Sequence, residues 1–131
     1  MQALLAAIPA FAIVTNKSFS GRIGWGAMVL LEMSITPLGK GESVSQYVAE
    51  CVRLVEASGL DYELHAMGTI VEGELDQVLD VMRRCIEEVA RHSDRVTCAA
   101  KLDFRRGYGG RIRSKVESVR SKLSSGKQST G

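Results

Sequence analysis

The sequence is poor in aromatic residues, and it has no large excess of charge of either sign. Phe, Trp and Tyr make up 5% of the 131 residues, which argues against a protein that stacks many nucleic-acid bases. The formal net charge is +2, and most of the excess lies in residues 105–127, so no strong field attracts nucleic acid or a membrane. We therefore expect neither nucleic acid nor a membrane as a partner.

Cysteines are few and lack a pattern. Cys51, Cys85 and Cys98 stand far apart, with no CxxC or Cys/His spacing. An odd number without a framework is typical of reduced thiols in a reducing compartment, which predicts a cytoplasmic protein. Their apolar neighbours favour small buried hydrophobes, so we expect no metal site.

The first 27 residues do not resemble the rest of the chain. The apolar run 3–14 is too short to span a bilayer, contains Pro9, and has no Lys or Arg before it, unlike a signal peptide. A start codon assigned too early, with Met28 as the true start, or a disordered extension is favoured over an export signal. We place residues 1–27 outside the fold.

The following residues predict two outer strands and two helices. Val29–Pro37 alternates apolar and polar residues and ends at a proline, and 95–105 alternates in the same way, as strands do. Apolar residues at 3–4 spacing predict a helix that begins at Ser43, whose distance to Gln46 fits a capping box. The same spacing predicts a second helix over 74–91.

A hairpin is predicted between the two helices. Two short strand-like runs, Tyr62–Ala66 and Thr69–Glu72, flank Met67-Gly68. We expect Gly68 to supply the positive φ that a tight turn requires.

The order strand, helix, hairpin, helix, strand is the α+β ferredoxin-like βαββαβ plan, with a four-stranded antiparallel sheet and both helices on one face. We assign residues 28–106 to this domain and 107–131 to a C-terminal basic helix and a disordered tail that starts at Ser124. The uncovered face then carries Glu32, Ser34, Thr36, Glu63, His65, Thr97, Lys101 and Asp103. The uncertain hairpin register leaves open whether Thr69 or Ile70 joins them.

This mixed face has two uses, a solvated surface or a docking surface that encloses a small ligand. Its composition favours sheet-to-sheet dimerisation with a pocket at the interface. RNA-recognition domains share the topology but need aromatic residues on the two central strands. We expect the central strands to be Val29–Pro37 and 95–105, where the one aromatic residue is Phe104, on the helix side.

His65 is the residue best placed for chemistry. Glu32, Glu63 and Glu72 could serve it as acid/base partners, but the sequence contains no GxSxG, HExxH or Walker motif. No reaction is specified, and we expect a protein that is not an enzyme. The alternative is a small oligomeric enzyme that acts on a heterocycle, with His65 as the acid/base.

Several motifs resemble the small thiamine-binding protein family, which is related to the YkoF-type proteins. They are Pro37-Leu38-Gly39 with Ser43, the run His65-Ala66-Met67-Gly68-Thr69 continuing to Glu72-Gly73, and Asp76-x-Val78. The resemblance covers about Met28 to Lys122, although Leu75 stands where members often carry Trp. It implies a ferredoxin-like fold, a homotetramer built as a dimer of dimers, and non-catalytic binding of thiamine or its hydroxymethylpyrimidine moiety.

This ligand class suggests which residues of the open face bind it. An aminopyrimidine needs hydrogen-bond donors and acceptors, and its amino group needs a carboxylate. The thiazolium is a fixed cation and favours acidic or aromatic neighbours. We therefore predict a ligand site made by Glu32, Ser34, Thr36, His65, Thr69 and Glu72, with no catalytic residue, no metal and no other cofactor.

Overall fold

The computed structural model describes residues 27–126. In chain order, the elements are β1 (Met28–Pro37), α1 (Ser45–Ala57), β2 (Asp61–His65), β3 (Gly68–Glu74), α2 (Leu75–Ala90), β4 (Val96–Arg105) and α3 (Arg111–Gly126). The strands form one antiparallel sheet in the order β2-β3-β1-β4. The predicted α+β ferredoxin-like fold is confirmed. Residues 1–26 and 127–131, on which most of the predicted extension and part of the predicted tail fall, lie outside the described residues.

Strict alternation along β1 builds the core. Val29, Leu31, Met33 and Ile35 all face α1 and α2 and are buried. A fully buried Val or Leu contributes about 1.5–3 kcal/mol, so this face holds the sheet to the helices. The partners that pack with these four residues in the core are Tyr47, Cys51, Val55, Val71, Val78, Val81, Cys85 and Val89.

Two of the cysteines join α1 to α2 in this core. The Cys51 thiol donates to the carbonyl oxygen of Cys85 at 3.8 Å, and the Cys85 thiol donates to that of Cys51 at 3.6 Å. The contact with Cys51, together with burial, raises the pKa of the Cys85 thiol. Cys51 and Cys85 are the small buried residues that we expected, whereas Cys98 is only half-buried.

The central strands of the sheet are β1 and β3, and β4 lies at an edge. The expectation that the last strand is central is therefore wrong. The prediction that Leu102 and Phe104 lie on the helix side of the sheet is right, because Leu102 pairs with Leu31 and Phe104 pairs with Val29. The edge position nevertheless leaves Leu102 and Phe104 44% and 47% exposed.

The ends of the helices differ from the predictions in two cases, the start of α1 and the end of α3, which continues to Gly126 although we expected the disordered tail to start at Ser124. α1 begins at Ser45 with Val44 as its N-cap and has no side-chain cap, so the predicted Ser43 capping box is wrong. Ser43 lies one residue too early to cap, and its hydroxyl is 3.4 Å from that of Ser45. α2 has a capping box, in which Glu74 N–H donates to Gln77 Oε1 at 3.0 Å.

The hairpin turn is Ala66-Met67, since His65 pairs with Gly68. Gly68 does not have a positive φ, so the reason that we predicted for this glycine is wrong. An added Cβ at Gly68 would lie 2.7 Å from the carbonyl oxygen of Met33 on β1. The close approach of two strands therefore requires glycine at this position.

We expect Gly68→Ala to lower the free energy of unfolding by about 1–3 kcal/mol, because backbone atoms must move to admit the Cβ. Urea denaturation of the two proteins measures the change. Gly109→Ala is the matched control, since an added Cβ there meets nothing closer than 3.6 Å. Equal stability of Gly68→Ala and the wild type would contradict the close approach.

Candidate functional site

The face of the sheet opposite α1 and α2 carries the polar residues that the sequence predicted. Across the strands β2, β3, β1 and β4, one row is formed by Asp61, Glu72, Leu30 and Asp103, and the next by Glu63, Ile70, Glu32 and Lys101. His65 follows on β2 opposite Gly68, and Ser34 and Thr36 follow on β1 opposite Ala99 and Thr97. The row that contains Glu72 is close to α3, whereas the later rows are uncovered.

α3 begins on this face because Glu72 holds its first turn. The buried carboxylate of Glu72 accepts hydrogen bonds from the backbone N–H of Arg111 at 3.1 Å and from that of Ile112 at 3.4 Å. These are amides of the first helical turn, which have no partner within the helix and favour an anion. Glu72 is 2% exposed, so its carboxylate is part of the scaffold of this face.

The Arg111 side chain fixes the same end of α3 to two strands. Its Nη2 donates to the carbonyl oxygens of Met28 at 2.8 Å and Asp103 at 2.7 Å. The carboxylate of Asp103 forms ion pairs with Lys115 and with Arg111. The Lys115 ammonium, followed by the Arg111 guanidinium, lowers the pKa of Asp103.

The uncovered half of the face contains a group of six residues that we call the open patch. It consists of Glu32, Ser34, Glu63, His65, Gly68 and Ile70. Ile70 lies between Glu63 and Glu32 in one row. Gly68 leaves a depression in the next row between His65 and Ser34, since the Ser34 Cβ is 3.8 Å from the position of an added Cβ. The patch therefore has an apolar and glycine floor with polar groups on both sides.

His65 has a defined hydrogen-bonding pattern in the open patch. Its Nδ1 accepts a hydrogen bond from the backbone N–H of Met67 at 3.3 Å. A neutral imidazole that accepts at Nδ1 carries its proton on Nε2. His65 is half-buried and offers this N–H to a ligand as a donor.

The structure brings together four of the six predicted site residues and separates the other two. Glu32, Ser34, Thr36 and His65 share the uncovered half of the face. Glu72 is on the same face, but α3 occupies its carboxylate. Thr69 pairs with Met33 on the core side of the sheet and is 7% exposed.

The hairpin register settles the alternative that the sequence left open, because Ile70 joins the polar residues and Thr69 does not. The residues that the site prediction omitted are Ile70, Gly68 and Glu63. Once the turn is known to be Ala66-Met67, Ile70 pairs with Glu63 on β2 and can be assigned to the same face. No local sequence pattern could predict that Glu72 caps α3, since its partner Arg111 is 39 residues away.

Two clefts border α3. The first has a volume of about 210 Å³ and is lined by Asp61, Tyr62, Glu72, Gly110, Ile112 and Arg113. This is less than the ~300–1,000 Å³ of usual small-molecule sites. The second, of about 340 Å³, includes Lys115 and Arg105, whose guanidinium stacks on the Tyr108 ring at 4.1 Å. Its cationic lining is unfavourable for a cation such as thiamine.

The fold and this face define the chain as a small ferredoxin-like α+β domain that presents a polar sheet surface beside a docked C-terminal helix. Within residues 27–126, no helix is both long and apolar enough to cross a bilayer. A family model described as "Thiamine-binding protein" matches residues 31–120. The chain belongs to this thiamine-binding protein family.

The curated relatives that match the chain are UPF0045 proteins. The chain is 37% identical over 91 residues to the UPF0045 protein MJ1052 of Methanocaldococcus jannaschii, covering 70% of this chain and 91% of that protein. It is 40% identical over 92 residues to the UPF0045 protein MT1949 of Mycobacterium tuberculosis, covering 70% of this chain and 90% of that protein.

Solved structures share the fold. The crystal structure of MJ1052 superposes with a TM-score of 0.66 at 37% identity, covering 70% of this chain and 95% of that one. A Thermotoga maritima structure, TM0486, is named as a candidate thiamine biosynthesis/salvage protein. It superposes with a TM-score of 0.60, covering 69% of this chain and 98% of that one. At 15% identity, this second likeness shows the fold alone.

We expect Glu72→Gln to loosen α3 and to lower the free energy of unfolding by about 0.5–2 kcal/mol, the usual worth of a helix cap. Hydrogen exchange of the Arg111 and Ile112 amides measures the loosening directly. Glu63→Gln is the control, because Glu63 is an exposed carboxylate on the same face. Unchanged exchange in Glu72→Gln would refute the capping role.

Acid should weaken the attachment of α3 through Asp103. The folded-state pKa of Asp103 lies below its ordinary value, because of Lys115 and then Arg111. Its ion pairs therefore contribute stability that is fully present above that value and is lost as the pH falls through the folded-state pKa. Denaturation between about pH 2 and about pH 6 should show a smaller acid loss in Asp103→Asn than in the wild type. Parallel pH profiles would contradict this.

Proposed function

We propose that the chain binds thiamine or its hydroxymethylpyrimidine moiety without changing it chemically, as a cytoplasmic homotetramer. The observation that carries the proposal is the open patch, in which carboxylates, a hydroxyl and an imidazole surround Ile70 and Gly68. Membership of the thiamine-binding protein family supports the ligand class. The name of the Thermotoga structure with the same fold agrees with it.

The chemistry of the open patch complements an aminopyrimidine. The ring nitrogens accept hydrogen bonds, which His65 Nε2–H and the Ser34 hydroxyl can donate. The exocyclic amino group donates, and the carboxylates of Glu32 and Glu63 accept. Ile70 offers an apolar surface for the ring between these two carboxylates, so both the face and the edge of the heterocycle find partners.

The thiazolium part adds a fixed positive charge. Glu32 and Glu63 place two negative charges beside Ile70, whereas Lys101 pairs with Glu32 on its other side. The local balance of these three residues is one negative charge, which favours a monovalent cation. Thr36, half-buried on the same face, lies further along β1 and extends the polar surface for the rest of the ligand.

A second copy is needed to enclose the ligand. Glu32 and Glu63 are exposed and the patch is uncovered, but small-molecule sites bury most of the ligand surface. Packing two open faces together encloses the patch. The edge strand β4, with Leu102 and Phe104 exposed, provides a second and separate surface. A dimer of dimers requires two such self-complementary surfaces.

The geometry favours binding over catalysis. In the described residues, the hydrogen bond of the His65 ring is with the Met67 N–H, not with a hydroxyl or a carboxylate. No nucleophile and base are therefore paired around it. The free thiols of the described residues include the adjacent Cys51 and Cys85, which fits the reducing cytoplasm that we propose.

The decisive test is calorimetric titration with thiamine, hydroxymethylpyrimidine and thiamine diphosphate. We expect saturable binding and full recovery of the unchanged compound. Glu63→Gln should weaken binding by about 10–100-fold, since a hydrogen bond to a charged group is worth about 1.5–3 kcal/mol. His65→Ala should weaken it by about 2–10-fold, since a hydrogen bond between neutral groups is worth about 0.5–1.5 kcal/mol. Glu42→Gln, in an exposed loop, is the matched control and should bind as the wild type does.

Other outcomes separate the alternatives. Turnover of the compound that His65→Ala abolishes would support the enzyme and refute the passive binder. If an intact oligomer binds none of the three compounds, the proposal that the protein binds thiamine or its hydroxymethylpyrimidine moiety is refuted. Light scattering measures the assembly, and a monomer that still binds tightly would refute enclosure by a second copy.

A further inference from the structure

A second cluster of metal-ligating side chains lies on the other layer of the molecule, between α1 and α2. It consists of Glu50 on α1, Glu88 on α2, and His92 just after the end of α2. One oxygen of each carboxylate and one nitrogen of the imidazole lie within 4.8 Å of one another. Because α1 and α2 cover the face opposite the open patch, this cluster is separate from the proposed thiamine site.

The imidazole of His92 is directed at both carboxylates. Its Nε2 is 3.4 Å from Glu50 Oε2 and 4.0 Å from Glu88 Oε1. The Tyr47 ring packs against His92 with centroids 5.5 Å apart and supports the orientation of the imidazole. Three ligand atoms from two helices therefore converge on one point.

The state of Glu50 is the observation that points to a missing partner. Its side chain is 33% exposed, but Oε2 itself has no accessible surface, and it makes no hydrogen bond among the described residues although His92 Nε2 is 3.4 Å away. A buried carboxylate oxygen without a partner is costly. A cation between Glu50 and His92 would supply the partner at the place where Oε2 already points.

The carboxylate of Glu88 is also oriented so that one oxygen faces His92. Glu88 Oε2 forms an ion pair with Arg91 at 3.2 Å, so Glu88 Oε1 remains on the side of His92. Although His92 lies two residues beyond the end of α2, its Nε2 is 4.0 Å from Glu88 Oε1. Arg91 thus orients a monodentate ligand rather than occupying the site.

We propose that Glu50, Glu88 and His92 bind a divalent first-row transition-metal ion, with Zn²⁺ as the best match. One imidazole and two carboxylates suit Zn²⁺, which takes three protein ligands and leaves a position for water. The ion would link α1 to α2 and stabilise the helical layer. No local pattern indicates this site, because the cysteines lack metal-site spacing and Glu50 is 42 residues from His92.

The test uses Zn²⁺ and the full chain without an affinity tag. The protein has two histidines, His65 and His92, and residues 1–26 and 127–131 contain no His, Cys, Asp or Glu. In NMR spectra of the imidazoles, Zn²⁺ should shift the His92 signal saturably, at about one ion per chain, and should raise the Tm. Mg²⁺ at the same concentration should do neither.

Matched variants separate the site from adventitious binding. Loss of an outer-shell partner already costs about 10–100-fold in metal affinity, so Glu50→Gln and His92→Ala should each cost at least about 10-fold. Glu87→Gln, an exposed carboxylate on α2, and His65→Ala should retain the affinity. Glu50→Gln is nearly isosteric, and its thermal unfolding without metal shows that it is folded.

Three results would overturn the proposal. The first is Zn²⁺ binding that persists in His92→Ala but is lost in His65→Ala. The second is equal affinity of Glu50→Gln and the wild type. The third is the absence of saturable binding, which would make the cluster a contact of His92 with two carboxylates that holds no metal ion.

Discussion

The buried carboxylate of Glu72 divides the open face of the sheet into two parts. It accepts the free amides of Arg111 and Ile112, while the Arg111 guanidinium binds backbone oxygens of β1 and β4. Burying a charged group is costly unless it is paired or hydrogen-bonded. Here the Glu72 carboxylate is hydrogen-bonded by two backbone amides, and the Arg111 guanidinium forms an ion pair with Asp103. α3 is therefore fixed at one end of the face, and the rows that contain His65 and Ser34 remain accessible.

The two sides of the sheet differ in what they contribute to the structure. The side of Val29, Leu31, Met33 and Ile35 is covered by α1 and α2 and supplies the hydrophobic stabilisation. The other side contributes little to the core, so carboxylates, hydroxyls and an imidazole can be accommodated there. Ile70 is the apolar exception, and it lies between two carboxylates. Away from Glu72 and Gly68, the polar residues of this face make few of the contacts that stabilise the fold, so they remain accessible.

Much of the fold could be predicted because it depends on local patterns. The alternation of β1, the apolar stripes of α1 and α2, and the existence of the hairpin follow from side-chain periodicity. Errors arose where several conformations fit the same residues. Ser43 has capping-box spacing but lies outside the helix that forms. Gly68 was assigned to turn geometry, although the nearby Met33 carbonyl requires it. Ser124 was placed in the tail, but α3 continues to Gly126.

The candidate site was less predictable than the fold. Parity placed Glu32, Ser34 and Thr36 correctly, because β1 has no irregularity that shifts its alternation. Thr69 and Ile70 could not be distinguished, since moving the turn by one residue exchanges the two faces. The contacts of Glu72 with Arg111 and of Glu50 with His92 join residues that are distant in sequence.

The sequence by itself determined the strands, the helices and which residues of β1 share a face, because periodicity is a property of neighbouring residues. The tertiary structure alone decided that β4 is an edge strand, that α3 occupies Glu72, and that Glu50 meets His92 between two helices. These features depend on the register between strands and on the packing of distant segments, which no local pattern encodes.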